Sequence, residues 1–224
     1  MAPYIQDLLE RRPLRIDFPD SPSLEIEQAP PALDAASPDP QSTGSTVWRG
    51  GVRLAEVIAS DADLRRRVVL GRRILELGSG TGVAGLACAA LGAAAVLMTD
   101  LSVGLSERNL RRNNWVTTLN SCRVAVAVLR WGCPRWQLAG VLSEISADTI
   151  IGADLVYDQD RVDQLARTLV AAMAMMGRPD SIAVLGCYSH YEPIAYAALL
   201  ARLYVLRSTK THSGALGAKL PAWR

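Results

Sequence analysis

Along most of the chain, hydrophobic positions switch between short apolar runs and stretches with helical spacing. Ile74–Leu77 is a short apolar run, and Val83–Leu91 is an Ala-rich helical stretch. Ala95–Asp100 is apolar up to the acid that closes it. Leu105–Trp115 is polar and helical, with Glu107 and Arg111 spaced as an i,i+4 pair. Val124–Leu129 is apolar on both faces, the pattern of a strand covered on both sides. Thr149–Ala153 reads as a fourth strand, Val162–Met176 as an Ala/Met-rich helix and Ile182–Cys187 as a fifth strand. Ile194–Leu203 is a further helix and Tyr204–Leu206 a short sixth strand. Right-handed crossovers make this alternation an α/β fold, a doubly wound parallel sheet with helices on both faces. Ligands of such sheets sit at the carboxyl ends of the strands, where the strand order reverses.

The first part of the chain has a different grammar. Ala2–Arg12 spaces Ile5, Leu8 and Leu9 as a short amphipathic helix. Leu14–Phe18 and Leu24–Glu27 alternate apolar and polar residues around Pro19-Asp20-Ser21-Pro22, which predicts a hairpin. Ala29–Ser45 is rich in Pro, Ser, Asp and Ala and reads as a linker. The expected organisation is therefore an N-terminal extension over 1–45 and a main domain over 46–224. That domain begins with Thr46-Val47-Trp48-Arg49-Gly50-Gly51, which opens a helix carrying Leu54, Val57 and Ile58 on one face.

Composition narrows the function classes. Half the residues are apolar, enough for a sizeable core, and the net charge of +2 argues neither for nor against an anionic partner. Arg65-Arg66-Arg67 and Arg72-Arg73 have no interleaved aromatics, so they read as solvated surface beside a strand, not as a nucleic-acid patch. Four scattered cysteines and two histidines give no zinc spacing and point to a reduced, cytoplasmic setting, with the nucleus also open. Asp7 and Glu10 argue against a secretory leader. The apolar run Val83–Met98 is too short for a membrane span and is split by Gly92. No metal, nucleic acid or membrane is expected, and a monomer is the default.

The chemistry begins at Glu76-Leu77-Gly78-Ser79-Gly80-Thr81-Gly82. A strand, three glycines at alternate positions and a helix start let a ligand approach the backbone closely. Gly80-Thr81-Gly82-Val83-Ala84-Gly85 also matches the GxGxxG string of dinucleotide sites. The acid decides between the two readings. A carboxylate two residues before the first glycine repels a pyrophosphate but favours the ammonium and sulfonium of S-adenosylmethionine. Other candidates fall at the later strand ends. Asp100 can accept both hydroxyls of a ribose, or simply cap the next helix. Trp131 can cover an adenine, or pack as a core aromatic. Asp154 and Tyr157 close the fourth strand, either as a functional pair or as a loop cap with a packed ring.

With these residues in view, the chain resembles the seven-stranded, Rossmann-like S-adenosylmethionine-dependent methyltransferases. Within them it resembles methyltransferase family 16, largely non-histone protein-lysine methyltransferases. The signs are the glycine motif with Asp100, Thr46-Val47-Trp48, Leu129-Arg130-Trp131-Gly132, and Gly152-Ala153-Asp154-Leu155-Val156-Tyr157-Asp158. The last string is similar to the family's Asp-x-x-Tyr motif. The resemblance covers roughly Thr46–Tyr188. It implies that Glu76, Gly78, Ser79, Gly80 and Gly82 hold the methionine end of the cofactor. By the same resemblance Asp100 takes the ribose and Trp131 the adenine, while Trp48 and Ala153 surround the cofactor. It implies further that Asp154 and Tyr157 line a channel for a protein lysine. The chain departs from the pattern twice. Arg49-Gly50-Gly51 stands where the family often has an acid, and Ser213–Ala218 does not read as a closing strand.

Methyl transfer from a sulfonium is an in-line displacement by a neutral nucleophile, so alignment and desolvation are the protein's tasks. Other functions on the same scaffold are a cofactor-binding module without turnover and a methyltransferase for small molecules or nucleic acid. The proline pair typical of base-flipping enzymes is missing beside Asp154. A dehydrogenase would need a base such as His190, which reads better as a loop residue.

Overall fold

In the computed structural model, residues 13–18, 21–28, 44–156, 159–186 and Leu199 are described. Two strands come first, β1 (Leu14–Phe18) and β2 (Ser21–Ile26). Helices α1 (Arg49–Ser60) and α2 (Ala62–Val68) follow. Strand and helix then alternate through β3 (Arg73–Leu77), α3 (Val83–Ala90), β4 (Ala95–Asp100), α4 (Gly104–Arg112), α5 (Trp115–Thr118) and β5 (Arg123–Val128). The last elements are α6 (Arg135–Ile145), β6 (Thr149–Ala153), α7 (Gln159–Met176) and β7 (Ile182–Gly186).

Strands β3–β7 form one sheet in the order β5-β4-β3-β6-β7, and every neighbouring pair is parallel. The order reverses beside β3, with β4 and β5 to one side and β6 and β7 to the other. Successive side chains on a strand point to opposite faces. Ile74, Val96, Met98 and Ile151 therefore join α1, α3 and the N-terminal hairpin in one core. Leu75, Leu77, Leu97 and Ile150 join α6 and α7 in the other. Each such buried side chain contributes roughly 1.5–3 kcal/mol. This is the doubly wound sheet that the alternating pattern predicts.

The hairpin forms as expected, with Leu14 opposite Ile26 and Ile16 opposite Leu24. Its apolar face is buried in the α1/α3 core. Its outer edge is closed by two side chains, Asn109 of α4 and Asn113 just past its end. Asn113 accepts from the Glu25 amide (2.9 Å) and donates to the Glu25 carbonyl (2.9 Å). Asn109 does the same for Glu27 (2.7 and 3.1 Å) and also donates to the Thr81 carbonyl in the glycine turn (2.9 Å). Spaced i,i+4, the two amides stand in for a third strand and tie the hairpin to the turn.

Several expectations change on contact with the structure. Strand β5 is the outer strand of the described sheet. Val124 and Val126 pack against the α1/α3 core and Ala125 and Ala127 against the α6/α7 core, so the run is covered on both faces as expected, but only partly. None of its residues is fully buried, and Val128 is 56% exposed. The polar helix ends at Arg112, and Asn113-Asn114 break it before the short α5. Helix α6 is not predicted by the hydrophobic pattern, because Gly140 and exposed Trp136 blur its period. Its buried residues Leu138, Val141, Leu142 and Ile145 are nonetheless spaced i, i+3, i+4 and i+7. Asp61 caps α2, accepting from the amides of Asp63 and Leu64. The predicted segments Ala2–Arg12, Ile194–Leu203, Tyr204–Leu206 and Ser213–Ala218, and most of Ala29–Ser45, lie outside the described residues.

Arg72 is no solvated residue. Its guanidinium reaches Asp148 (3.1 Å), Asp180 (2.9 Å), the Thr149 hydroxyl (2.9 Å) and the Asp180 carbonyl (2.6 Å). Asp148 is almost wholly buried and also pairs with Arg73 at 3.3 Å. This clasp joins the amino ends of β3, β6 and β7, opposite the glycine turn. Breaking a buried pair strands a charge. Arg72→Ala is expected to lower unfolding stability by about 3 kcal/mol, read from urea unfolding. A loss below about 0.5 kcal/mol, the range of an ordinary surface change, would mean that the clasp contributes little.

Candidate active site

The glycine turn sits at the carboxyl end of β3, beside the point where strand order reverses. Gly78, Gly80 and Gly82 have φ of 61°, 51° and 80°, the left-handed region that glycine enters without strain. The Gly82 amide donates to the Ser79 carbonyl (2.7 Å), and the Ser79 amide donates to the Thr99 carbonyl (2.9 Å). The Thr99 hydroxyl in turn donates to the Glu76 carbonyl (2.6 Å). The turn is thereby pinned to the ends of β3 and β4.

Two carboxylates hold this turn from different sides. Glu76 points into the α1/α3 face and is 3% exposed. Its Oε2 accepts from the Gly85 amide at 3.1 Å, in the first turn of α3. A Cβ on Gly85 would collide with that same oxygen, and would come within 2.8 Å of Met98. The third glycine of the GxGxxG string is therefore there to admit the Glu76 carboxylate. Burial pushes the Glu76 carboxyl up to about 8, against the Gly85 hydrogen bond, which lowers it, with the nearby Asp100 adding to the rise. Asp100 closes β4. Its Oδ2 accepts from the Gly80 amide (2.8 Å) and its Oδ1 from Leu101 (2.7 Å). Burial raises its carboxyl, while the amides of Gly80, Leu101 and Ser102 and the charge of Arg161 pull the other way. A carboxylate has about four acceptor positions, so Asp100 keeps capacity for a further partner.

Around the turn the described candidates gather. Trp131, half-buried, brings its ring within 3.2 Å of where a Gly78 Cβ would stand, and Leu155 comes within 2.6 Å of the same point. The loop carrying Trp131 is clipped to α7, because the Gly132 amide donates to the Thr168 hydroxyl (2.8 Å). Ser79 is buried, and its hydroxyl meets no hydrogen-bond partner among the described residues. An unsatisfied hydroxyl and an acid with spare acceptor capacity, both at the glycine turn, fit a small polar ligand. Ala153 ends β6, half-buried, next to Asp154.

Asp154 adopts the left-handed backbone, with φ of 50°, which is costly for a residue with a side chain. Its amide donates to the Gly186 carbonyl (2.9 Å). Its Oδ2 accepts from the Gly50 amide at 2.6 Å, in the first turn of α1. A carboxylate at a helix N-terminus is favoured by the unpaired amides there and by the helix dipole. A Cβ on Gly50 would meet the Asp154 carboxylate directly. Gly50 is thus a site residue that the sequence reading passed over, although a Gly-Gly pair opening a helix was the visible signal. Trp48 is the N-cap residue of α1 and 42% exposed, and its carbonyl accepts from the Gly51 amide (3.1 Å). Tyr157 lies outside the described residues. Among the described residues no cluster of His, Cys, Asp and Glu could hold a metal, and no helix is long and apolar enough to cross a membrane.

A parallel sheet that reverses order beside a glycine turn, with acids in the last residues of β3 and β4, defines the Rossmann-like class of cofactor-binding folds. The family model described as lysine methyltransferase matches residues 27–190. The chain belongs to that family. It is 28% identical over 148 residues to protein N-lysine methyltransferase METTL21A of Danio rerio, a match covering 66% of this chain and 62% of the relative. It is 30% identical over 155 residues to protein N-terminal and lysine N-methyltransferase efm7 of Aspergillus fumigatus, covering 67% of this chain and 58% of the relative. The chain thus spans less than two thirds of the length of these relatives. The fold also resembles the solved structure of SMU.776 in complex with SAH, with a TM-score of 0.50, 12% identity, and coverage of 86% of this chain and 47% of that one.

Proposed function

We propose that this protein transfers a methyl group from S-adenosylmethionine to a lysine side-chain amine of a protein substrate. The observation that carries this reading is the pair of carboxylates, Glu76 and Asp100, closing on one glycine turn at the sheet's switch point. The transferase unit is 46–224, and the extension 1–45 adds its hairpin to the core. The setting is the cytoplasm, with the nucleus as the second compartment.

Bound at the turn, the cofactor would supply an electrophilic methyl group on a sulfonium. Gly78, Ser79, Gly80 and Gly82 would hold its methionine end, with the Ser79 hydroxyl finding a partner there. Glu76 would supply negative charge behind the turn, and Asp100 would accept from the ribose hydroxyls. Trp131 would cover the adenine, and Trp48 and Ala153 would wall the cleft. Asp154 would face the incoming lysine ammonium while keeping α1 in place through Gly50, and Tyr157 would line the same channel. A free lysine amine is neutral at pH 7 at a cost of about 4–5 kcal/mol. Burial lowers that cost by disfavouring the charged amine, so the proton can leave to water before attack.

Calorimetric titration tests the cofactor half of the reading. Wild type is expected to bind S-adenosylmethionine and to give no heat with NAD. Asp100→Ala is expected to weaken binding by about 2 kcal/mol, roughly 30-fold, for lost hydrogen bonds to a charged group. Binding of NAD in preference to the sulfonium compound would refute it.

A further inference from the structure

Two arginines and a tryptophan at the rim of the candidate site have no role in holding the turn. Arg130 lies next to Trp131, whose ring covers Gly78. Arg135 and Trp136 open α6 a few residues later, at the same carboxyl edge of the sheet. All three are exposed, Trp136 at 76%. The side chains of Arg130 and Arg135 make no ion pair or hydrogen bond with any described residue, a state they share with exposed Arg67 and Arg123, whereas Arg66, Arg108, Arg112, Arg167 and Arg178 each face an acid. Arg130 and Arg135 differ from Arg67 and Arg123 in lying at the rim of the candidate site beside an exposed tryptophan. One turn beyond Trp136, the space at Gly140 is open as well: a Cβ there would meet nothing within 4 Å. Val128, 56% exposed at the end of β5, extends the apolar part of the patch.

Exposed tryptophan with unpaired arginine is the composition of a binding hot spot, not of ordinary surface. Arg130 and Arg135 carry the same sign of charge, and the strand-end carboxylates Asp100 and Asp154 each accept from a backbone amide. We propose that Arg130, Arg135 and Trp136 form a docking surface for an acidic polypeptide segment flanking the lysine to be methylated. The inference rests on the proposed protein-lysine reading and specifies its substrate class. Acidic residues beside the target lysine would meet the two guanidinium groups, which fix the lysine's approach to the site. Trp136 would take an apolar side chain of the same segment. Nucleic acid is the competing occupant of such a patch. It is disfavoured because the patch offers two cations and no row of stacking platforms.

The test uses the full chain with bound S-adenosylmethionine and four fluorescent probes. Three are short peptides with a central lysine flanked by glutamate, by serine or by arginine, and the fourth is a short single-stranded DNA. The glutamate peptide is expected to bind about tenfold tighter than the serine peptide by anisotropy, with the gap closing at high salt. Arg130→Glu with Arg135→Glu is expected to reverse the order of the glutamate and arginine peptides. Trp136→Ala is expected to weaken all three peptides together. Equal binding of the peptides, a preference untouched by charge reversal, or tighter binding of the DNA would each overturn the proposal. Methyl transfer to proteins of a cell extract, measured in parallel, separates the two ideas. Transfer without acidic preference removes the docking surface alone, and charge-dependent peptide binding without any transfer removes the enzymatic reading alone.

Discussion

Asp154→Asn is expected to cut methyl transfer by about 30- to 1,000-fold while the protein stays folded and binds its cofactor as before. The argument starts from the backbone. Position 154 holds φ of 50°, a conformation that Asn and Asp visit more readily than other residues with side chains. Asparagine also keeps an oxygen to accept from the Gly50 amide, now at 2.6 Å. Shape, turn and helix contact therefore survive, and only the charge is lost. If the charge meets the substrate ammonium, removing it costs about 2–4 kcal/mol, the range for truncating one partner of a desolvated charge pair. Asp154→Ala removes the helix anchor as well, and is expected to lose about 1 kcal/mol of stability on top. Tyr157→Phe should reduce transfer more modestly. Each is measured as turnover with labelled cofactor, alongside calorimetric cofactor affinity. Full turnover by the asparagine variant would leave Asp154 as an anchor of α1 and nothing more.

The second large effect concerns Glu76 and pH. Burial raises this carboxyl from an ordinary 4.5 to about 8, so at neutral pH the ligand-free fold holds it protonated. Between those values the folded chain binds a proton that the unfolded chain has released. The stability this group contributes is therefore fully present below 4.5 and is lost as pH rises through 8, at up to about 1.4 kcal/mol per pH unit. Glu76→Gln mimics the protonated acid, and is expected to flatten that slope in urea unfolding between pH 5 and 8. A cationic guest reverses the preference, because a nearby positive charge favours the carboxylate. Cofactor binding at pH 7 is then expected to release up to one proton, seen as a dependence of the calorimetric heat on buffer. The quantity to compare is the difference between wild type and Glu76→Gln, which cancels the titration of the cofactor's own amine. Wild-type affinity should rise from pH 6 to 8 and exceed that of the variant most at the upper end. The same proton balance in both proteins would mean that the acid does not answer to the ligand's charge.

The strands at the centre of the sheet were legible because they are buried on both faces, which leaves an apolar run whose meaning does not depend on its neighbours. Ile74–Leu77, Ala95–Asp100 and Thr149–Ala153 fall at or within a residue of the structural limits. The outer strand was legible for the same reason, since it too packs on both faces, but its partial exposure was not. Val124-Ala125-Val126-Ala127 is apolar by composition, yet its place at the edge of the described sheet is a tertiary fact. Arg72 looked like surface because its partners, Asp148 and Asp180, lie more than seventy residues away. Local spacing could nominate Glu76, Asp100 and the glycines, whose contacts are close in sequence or in adjacent strands. It could not reveal that Gly85 exists to admit the Glu76 carboxylate, or that Gly50 receives Asp154 across 104 positions. The first is a short-range closure whose geometry spacing does not show, and the second joins distant segments that only the folded chain brings together.

The most direct measurement is incubation of the purified protein with methyl-labelled S-adenosylmethionine and a cell extract, followed by hydrolysis of the labelled fraction. The account predicts label in protein, recovered as methylated lysine. Label in nucleic acid, or cofactor bound by calorimetry with no label transferred to any protein, would contradict it.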